Sequence, residues 1–418
     1  MLRNYLRTAV KVLLRRKFYT AISLFGICVT LVVLIVASAL LDHMFAPQAP
    51  ESRVDRLLGV YMISMRGEQF TSTTEPGYGF LDRWVRPLAE LPQVERVALA
   101  SSPATGVSYL SGRKIESKLR RTDGEYWRIL DFKFLEGAPF TTADDAEARF
   151  VAVINRSTRE RFFGGGPAVG KTFEVDAQRF RVVGVVEDVP MLRLNASGDI
   201  WVPISTAKSS TYRTEWLGDF NALILARTPA DRAAVKQEFQ ARLTEAEKHL
   251  PEPERFNDLV AHADTPFEGF CRETFPGDYM EIDVNQVRWV LALIALLYML
   301  LPTINLINLN LSRILERSSE IGARKAFGAS SRTLVGQFVV ENLVVTLLGG
   351  LLALLLAGLV LQGLNASGLI PYARLGLNAR IFVYGLFFSV VFGVLSGVYP
   401  AWRMSRLHPI VALRGRLA

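Results

Sequence analysis

Residues 18–41 read FYTAISLFGICVTLVVLIVASALL, 24 consecutive positions without a charge. A helix rising about 1.5 Å per residue needs roughly 20 apolar residues to cross the hydrocarbon core of a bilayer. The stretch is long enough. A signal peptide is the competing reading, since the run follows a basic segment and Ala37-Ser38-Ala39 fits a cleavage pattern. Its apolar part, however, exceeds the usual h-region of about 7–15 residues. Three further runs point the same way: 24 residues over 289–312, 32 over 342–373 and 22 over 381–402. Four transmembrane helices are therefore expected. The third should start near Thr333, with Gly363, Asn365 and Gly368 marking where its apolar part stops.

The charges sort by segment. Residues 1–17, 312–332 and 403–418 together hold 15 bases and 2 acids, whereas 43–287 holds 30 bases and 36 acids. The formal +8 of the chain is thus a record of threading, not a preference for nucleic acid. Basic loops stay in the cytoplasm. Both termini and the 313–332 loop are expected inside, with 43–287 and the short 364–380 loop outside. Leu2, Leu6, Val10 and Leu13 recur at helical spacing beside Arg3, Arg7, Lys11 and Arg15. That pattern predicts an amphipathic basic helix over 1–17, its bases facing anionic headgroups.

The 43–287 region reads as α+β with two subdomains. Val151–Ile154 is a short buried strand. Thr172–Val175 and Phe180–Val186 are strands around a turn at Asp176-Ala177. Arg156–Phe163 is a short helix ended by glycines. Asp231–His249 is a longer helix with Val235, Phe239 and Leu243 on one face, and Asp188–Asp199 is a loop. Two cysteines and four histidines exclude a disulfide scaffold and leave little for a metal. Cys28 in the first span and Cys271 in the insert are not expected to pair.

Residues 165–172, Gly-Gly-Pro-Ala-Val-Gly-Lys-Thr, satisfy the P-loop pattern G-x-x-x-x-G-K-[ST]. A P-loop needs a buried strand before it and a helix after it, whose amides cradle phosphate. Here a helix is expected before and a strand after. The run Val182–Val186 ending in Glu187 and Asp188 mimics a Walker B strand, but follows too closely to leave room for a crossover. A nucleotide site is rejected at both.

The 313–332 loop carries Arg317, Glu320, Ile321, Gly322, Arg324, Lys325, Phe327 and Gly328. Glu320 and Arg324 stand four apart and support a helix. Gly328 can end it in the left-handed conformation, and Ser330 or Ser331 can cap the next. Such a helix at the membrane surface is placed to dock a cytoplasmic partner; a solvated loop that only sets topology is the plainer alternative. Within the spans, Asn305, Asn308 and Asn310 after Pro302 read as inter-helix hydrogen bonding and a kink, and Glu341 as half of an interfacial ion pair.

Glu320–Ala329, followed by Gln337–Glu341 and Gly349-Gly350, resembles the signature of FtsX-like permeases. The tail, with Pro400, Arg403, Pro409, Leu413 and Arg414, resembles the closing motif of that family. The insert is similar to a MacB-type periplasmic core domain in Phe162-Phe163-Gly164, Gly170-Lys171 and Val182–Val185. Gly26-Ile27 fits the first span, while Thr30 stands where a second glycine is common.

The resemblance implies a permease subunit of an ABC transporter in a bacterial inner membrane, four spans per protomer with the insert between the first two. It implies no catalytic residue, cofactor or metal in this chain, with ATP and Mg bound by a partner ATPase. Because 17 residues precede the first span, that ATPase is expected as a separate chain, as in lipoprotein-releasing permeases. A second permease copy or a paralogue would complete a dimer, and a periplasmic adaptor and outer-membrane protein remain open. The expected function is export or extraction of a substrate by mechanical transmission. The alternative is a transmembrane signalling module that activates a periplasmic partner such as a cell-wall hydrolase. A sensor without an ATPase is disfavoured by the coupling motif.

Overall fold

The computed structural model describes residues 14–15, 17–110, 112–275, 282–316 and 330–377, with isolated positions between 383 and 398. The expected N-terminal amphipathic helix, the coupling segment and most of the fourth apolar run lie outside these residues. Six longer helices matter below: α1 (Lys17–Phe45), α2 (Arg156–Phe163), α3 (Arg232–Glu247), α4 (Pro266–Thr274), α5 (Val284–Glu316) and α6 (Ser331–Ser367). The chain divides into two compact units. A helical unit comprises residues 1–42, 288–367 and 375–418, and a sheet unit comprises 43–287 with 368–374.

In the helical unit, Thr20–Phe45 and Val339–Ser367 are each long and apolar enough to cross a membrane. Their outward faces are apolar: Phe25, Leu355 and Leu359 are exposed, as are Trp289 and Leu293 on α5. Such surfaces are stable against hydrocarbon, not water. A Cβ on Gly349 would lie 2.8 Å from Ile27 Cγ2, so that glycine lets α6 approach α1 closely. Thr30 turns its hydroxyl back onto the Gly26 carbonyl at 3.0 Å, satisfying itself within α1. Glu341 accepts from Gln337 Nε2 at 3.0 Å. The side chains of Asn305, Asn308 and Asn310 lie outside the described residues.

Two helix ends differ from expectation. α1 continues past Leu41 to Phe45, and α6 continues past Gly363 to Ser367. The second extension has a clear cause. Asn365 Nδ2 donates to Leu375 O at 2.8 Å, and Leu375 N donates to Asn365 Oδ1 at 2.9 Å. The polar side chain therefore holds the returning chain while its own backbone stays helical. Gly368, with φ +67°, then ends the helix in the left-handed region.

The sheet unit contains a ten-stranded sheet and a four-stranded one. The large sheet runs in space through 57–60, 220–226, 94–101, 113–122, 200–203, 151–155, 178–186 and 134–137, with 104–110 and 172–175 as side branches. The small sheet orders 217–218, 71–76, 63–66 and 258–261. Both sheets lie in one compact unit, and no single cut in the sequence separates them. Each draws strands from both ends of the insert. The strands read from sequence at 151–154, 172–175 and 180–186 form as expected. Asp176 and Ala177 make the turn between the last two with φ of 50° and 58°. Val235, Phe239 and Leu243 of α3 are buried against Leu88, Leu250 and Leu259 in one core. Trp201, fully buried, anchors another with Trp127 and Phe140. Neither Cys28 nor Cys271 is in a disulfide.

Gly137 and Gly164 have nearly the same backbone, φ +62° and +61°, in different surroundings. A Cβ at Gly137 would sit 2.1 Å from Val183 O, whereas one at Gly164 meets nothing within 4 Å. Gly164→Ala should cost about 1 kcal/mol, the left-handed penalty alone. Gly137→Ala should cost at least about twice that, because a strand must also move. Urea unfolding of both variants checks this, and equal losses would contradict the pairing of 134–137 with 178–186.

Candidate functional site

The residues singled out for coupling, Arg317, Glu320, Ile321, Gly322, Arg324, Lys325, Phe327 and Gly328, lie outside the described residues. So do Pro400, Arg403, Pro409, Leu413 and Arg414. What is described is a junction in the sheet unit, where the segments leading to and from the apolar helices meet.

The segment after α1 is held twice. Phe45 packs edge-on against Phe267 and Phe270 of α4, with ring centroids 5.3 Å apart in both pairs. Ala46 O accepts from Arg193 Nη1 at 2.9 Å. Five residues on, Glu51 lies 3.9 Å from the same guanidinium. Arg193 and Glu51 are 1% and 2% exposed, so this is a buried ion pair whose charges must be met by protein groups. Glu51 Oε1 also accepts from Asn195 N at 3.0 Å.

Residues 193–195 belong to the 188–199 loop, which is gripped from the other side as well. Arg120, 1% exposed, donates to Leu194 O at 2.9 Å and to Asn195 O. Tyr126 Oη donates to Asn195 O at 2.9 Å. At the loop's end Asp199 accepts from Asn155 Nδ2 at 2.9 Å, from Lys118 N at 2.8 Å and from Tyr372 Oη at 3.0 Å. Tyr372 comes from the segment after α6, and its neighbour Pro371 accepts from Met191 N at 3.2 Å. The 188–199 loop is thus a hub. It ties the exit of α1, the large sheet and the connection after α6 into one network.

α4 leads towards α5 and is fixed independently. Thr265 and Glu268 form a capping box at its start. Lys236 of α3 meets Glu268 at 2.5 Å. Arg272 spans from Asp264 Oδ2, at 2.9 Å, to the Ile282 carbonyl, at 3.1 Å. Asp264 in turn exchanges both backbone hydrogen bonds with Gly59.

The junction carries perturbed acids. Burial raises Glu51 to about 7, although Arg193 pulls the other way. Burial raises Asp264 to about 6 against the pull of Arg272. Asp123, which accepts from Arg86 Nη1 at 3.2 Å and from Leu99 N at 2.9 Å, is raised to about 6 for the same reason. Beside the hub lies a cavity of about 480 Å³, lined in part by Tyr61, Arg120, Asp199, Phe270 and Tyr372.

Sequence reading saw 188–199 only as a loop. Nothing in its composition shows that Arg193 turns inward, because an arginine on a loop is ordinarily solvated. The available signal was the density of polar residues with no periodicity between two strands, which marks a loop without saying what holds it.

The P-loop match occupies a turn between α2 and the strand Thr172–Val175. Its amides are already used. Ala168 N donates to Glu136 Oε2 at 2.9 Å, Gly170 N to Val182 O at 2.8 Å and Lys171 N to Ala168 O at 3.0 Å. A carboxylate stands on an amide where a phosphate cradle would need a free one. Lys171 Nζ instead lies 5.6 Å from the Phe163 ring centroid. The glycines serve backbone geometry: Gly164, Gly165 and Gly170 all have positive φ.

Comparison with known proteins gives two family matches. The MacB-like periplasmic core domain matches residues 20–242, and the FtsX-like permease C-terminal domain matches 290–409. The chain is 27% identical over 418 residues to the pyoverdine export ATP-binding/permease protein PvdT of Pseudomonas fluorescens, covering 98% of this chain and 59% of that protein. It is 26% identical over 303 residues to the macrolide export ATP-binding/permease protein MacB of Pasteurella multocida, covering 72% and 43%. The chain thus spans about half the length of the curated relatives it matches. The solved periplasmic region of MacB from Actinobacillus actinomycetemcomitans aligns with a TM-score of 0.37 and 14% identity, over 53% of this chain and 94% of that one.

The raised acids set a pH dependence. Each binds its proton more tightly folded than unfolded, so its stabilising contribution is complete below the ordinary carboxylate range. It is lost as pH rises through about 6 for Asp123 and Asp264 and about 7 for Glu51. Melting followed by tryptophan fluorescence should give a higher Tm near pH 5 than near pH 8. Glu51→Gln should shrink that difference. An unchanged difference would contradict the burial of a titrating Glu51.

Proposed function

The chain belongs to the ABC-transporter permeases that join a MacB-like periplasmic core domain to an FtsX-like C-terminal domain, and we propose that it converts ATP hydrolysis on a partner into movement of its sheet unit outside the cytoplasm. In this reading α1, α5, α6 and the apolar run 381–402 are four spans, both termini are cytoplasmic and the protein sits in a bacterial inner membrane. The segment 313–332 is the docking handle for the ATPase. ATP and Mg belong to that partner, and a second permease copy completes the assembly.

The junction is the observation that carries the proposal. Phe45, Ala46 and Glu51 follow α1, α4 precedes α5, and Pro371 and Tyr372 follow α6. Ala46, Glu51, Pro371 and Tyr372 are bonded to the hub loop by a buried ion pair and hydrogen bonds, and α4 is joined to the end of α1 by edge-on rings. A displacement of any of these helix ends is therefore transmitted to the sheets rather than absorbed in slack chain. The work would be export or extraction of a substrate, with no path through the bilayer required. The names of the two relatives, each an exporter, support export. Activation of a periplasmic partner enzyme would use the same transmission, and differs only in what the sheet unit touches.

Charge reversal in the handle tests the proposal. In membranes holding the chain with its cognate ATPase, Arg324→Glu with Lys325→Glu should leave folding intact and lower ATP-driven export about tenfold or more. ATPase activity should fall by much less. Unchanged coupling in paired ATPase and export assays would remove the docking role from this segment.

A further inference from the structure

The cavity beside the hub has polar groups that no protein partner answers. Asn221, 7% exposed on the strand Phe220–Ala226, has a buried Oδ1 without a hydrogen-bond partner. Glu75 at the end of the strand Thr71–Pro76 has a buried Oε2 in the same condition. Both line the cavity. Both of these acceptor atoms are left unmet by the protein, and burying a polar atom without a partner is costly. Native proteins leave few such groups without a reason.

Charge points the same way. Burial raises the Glu75 carboxyl, and repulsion from Asp219 and from Glu273 on the cavity wall adds to the rise, while a hydrogen bond with Ser102 and the charge of Arg120 oppose it. The two bases on the wall have other partners for part of their donors. Arg120 is held by the Leu194 and Asn195 carbonyls, and Lys118 Nζ reaches Thr105 Oγ1 at 3.3 Å. The wall also carries the apolar surfaces of Tyr61, Phe270 and Met62, beside the hydroxyls of Ser102 and Ser197. At about 480 Å³ the space is of the size that takes small organic ligands.

We propose that this cavity binds an organic cation, a protonated amine on an apolar body, with its N–H groups on Glu75 and Asn221 and its body against Tyr61 and Phe270. The ammonium supplies the missing donors and relieves the repulsion among the acids. The rings favour a cation over their faces. Arg120 Nε and Asn195 Nδ2, buried donors without partners, serve a hydroxyl or carbonyl elsewhere on the same molecule. A carboxylate ligand would meet Glu75, Glu273 and Asp199. Because Asp199 and Tyr372 line the same space, the bound molecule also touches the hub. Binding itself needs no ATPase, so it stands or falls separately from the coupling function.

The test is equilibrium binding to the full chain in lipid nanodiscs, using a matched series of 4-phenylbutylamine, 4-phenylbutanol and 4-phenylbutyrate. The amine should bind at least about tenfold tighter than the alcohol, as a charge-assisted hydrogen bond implies. The butyrate should bind more weakly than either. Glu75→Gln, nearly isosteric, should bring the amine down to the level of the alcohol. Glu273→Gln, at an exposed position, should lower amine affinity about two- to threefold and leave the alcohol unchanged. No detectable amine binding, equal affinity for the three probes, or an undiminished amine preference in both variants would overturn the proposal.

Discussion

Arg193 cannot be solvated where it lies, and much of the junction follows from that. Its guanidinium sits on the Ala46 carbonyl and beside Glu51, three groups from two segments far apart in sequence. Removing one partner of such a buried pair typically costs about 3–5 kcal/mol, because the other charge stays buried without it. The segment leaving α1 and the 188–199 loop are therefore hard to separate. Once that loop is fixed, Arg120, Tyr126 and Asp199 have rigid acceptors and donors to meet. Tyr372 then has a defined place to dock. A joint built this way resists extension better than an apolar contact of similar area, since every hydrogen bond broken would leave a polar group buried.

The arrangement also accounts for the shape of the sheet unit. Its two sheets interleave strands from the beginning and end of the insert, so chain entry and exit lie within both. An outer domain with a single clean boundary would hang from the membrane by one flexible linker. Here α4 is clamped through the Arg272–Asp264 and Glu268–Lys236 pairs, while Phe45, at the end of α1, packs against it. The first and second helix connections are thus neighbours through aromatic rings rather than through chain alone.

Local features were the most legible in sequence. The apolar runs identified the long helices because twenty uncharged residues have few other uses. The strands at 151–154, 172–175 and 180–186 and the helix at 156–163 were readable from alternation and from the glycines that end them. The P-loop match could be rejected because helix and strand stood in the wrong order around it, and the amides of Ala168, Gly170 and Lys171 prove to be occupied. What sequence did not show is long-range. No periodicity announces that Arg193 meets Ala46, or that Tyr372 reaches Asp199 across 173 positions. Asn365 looked like a terminator and instead keeps its helix while bonding Leu375. The unmet acceptors of Glu75 and Asn221 exist only once two sheets are packed together.

If the proposed transmission holds, the segments that leave the apolar helices stay fixed to the sheets throughout the working cycle. A thiol cross-link between cysteines at 45 and 267, where the native rings are 5.3 Å apart, tests it most directly. The chain would carry no other cysteine and would be assayed with its ATPase in proteoliposomes. If the joint is rigid in the working cycle, cross-linking leaves ATP-driven export at the level of the uncross-linked double-cysteine chain. If export stops on cross-linking and returns on cleavage of the linker, the joint must open during each cycle, and force is not carried through it as described.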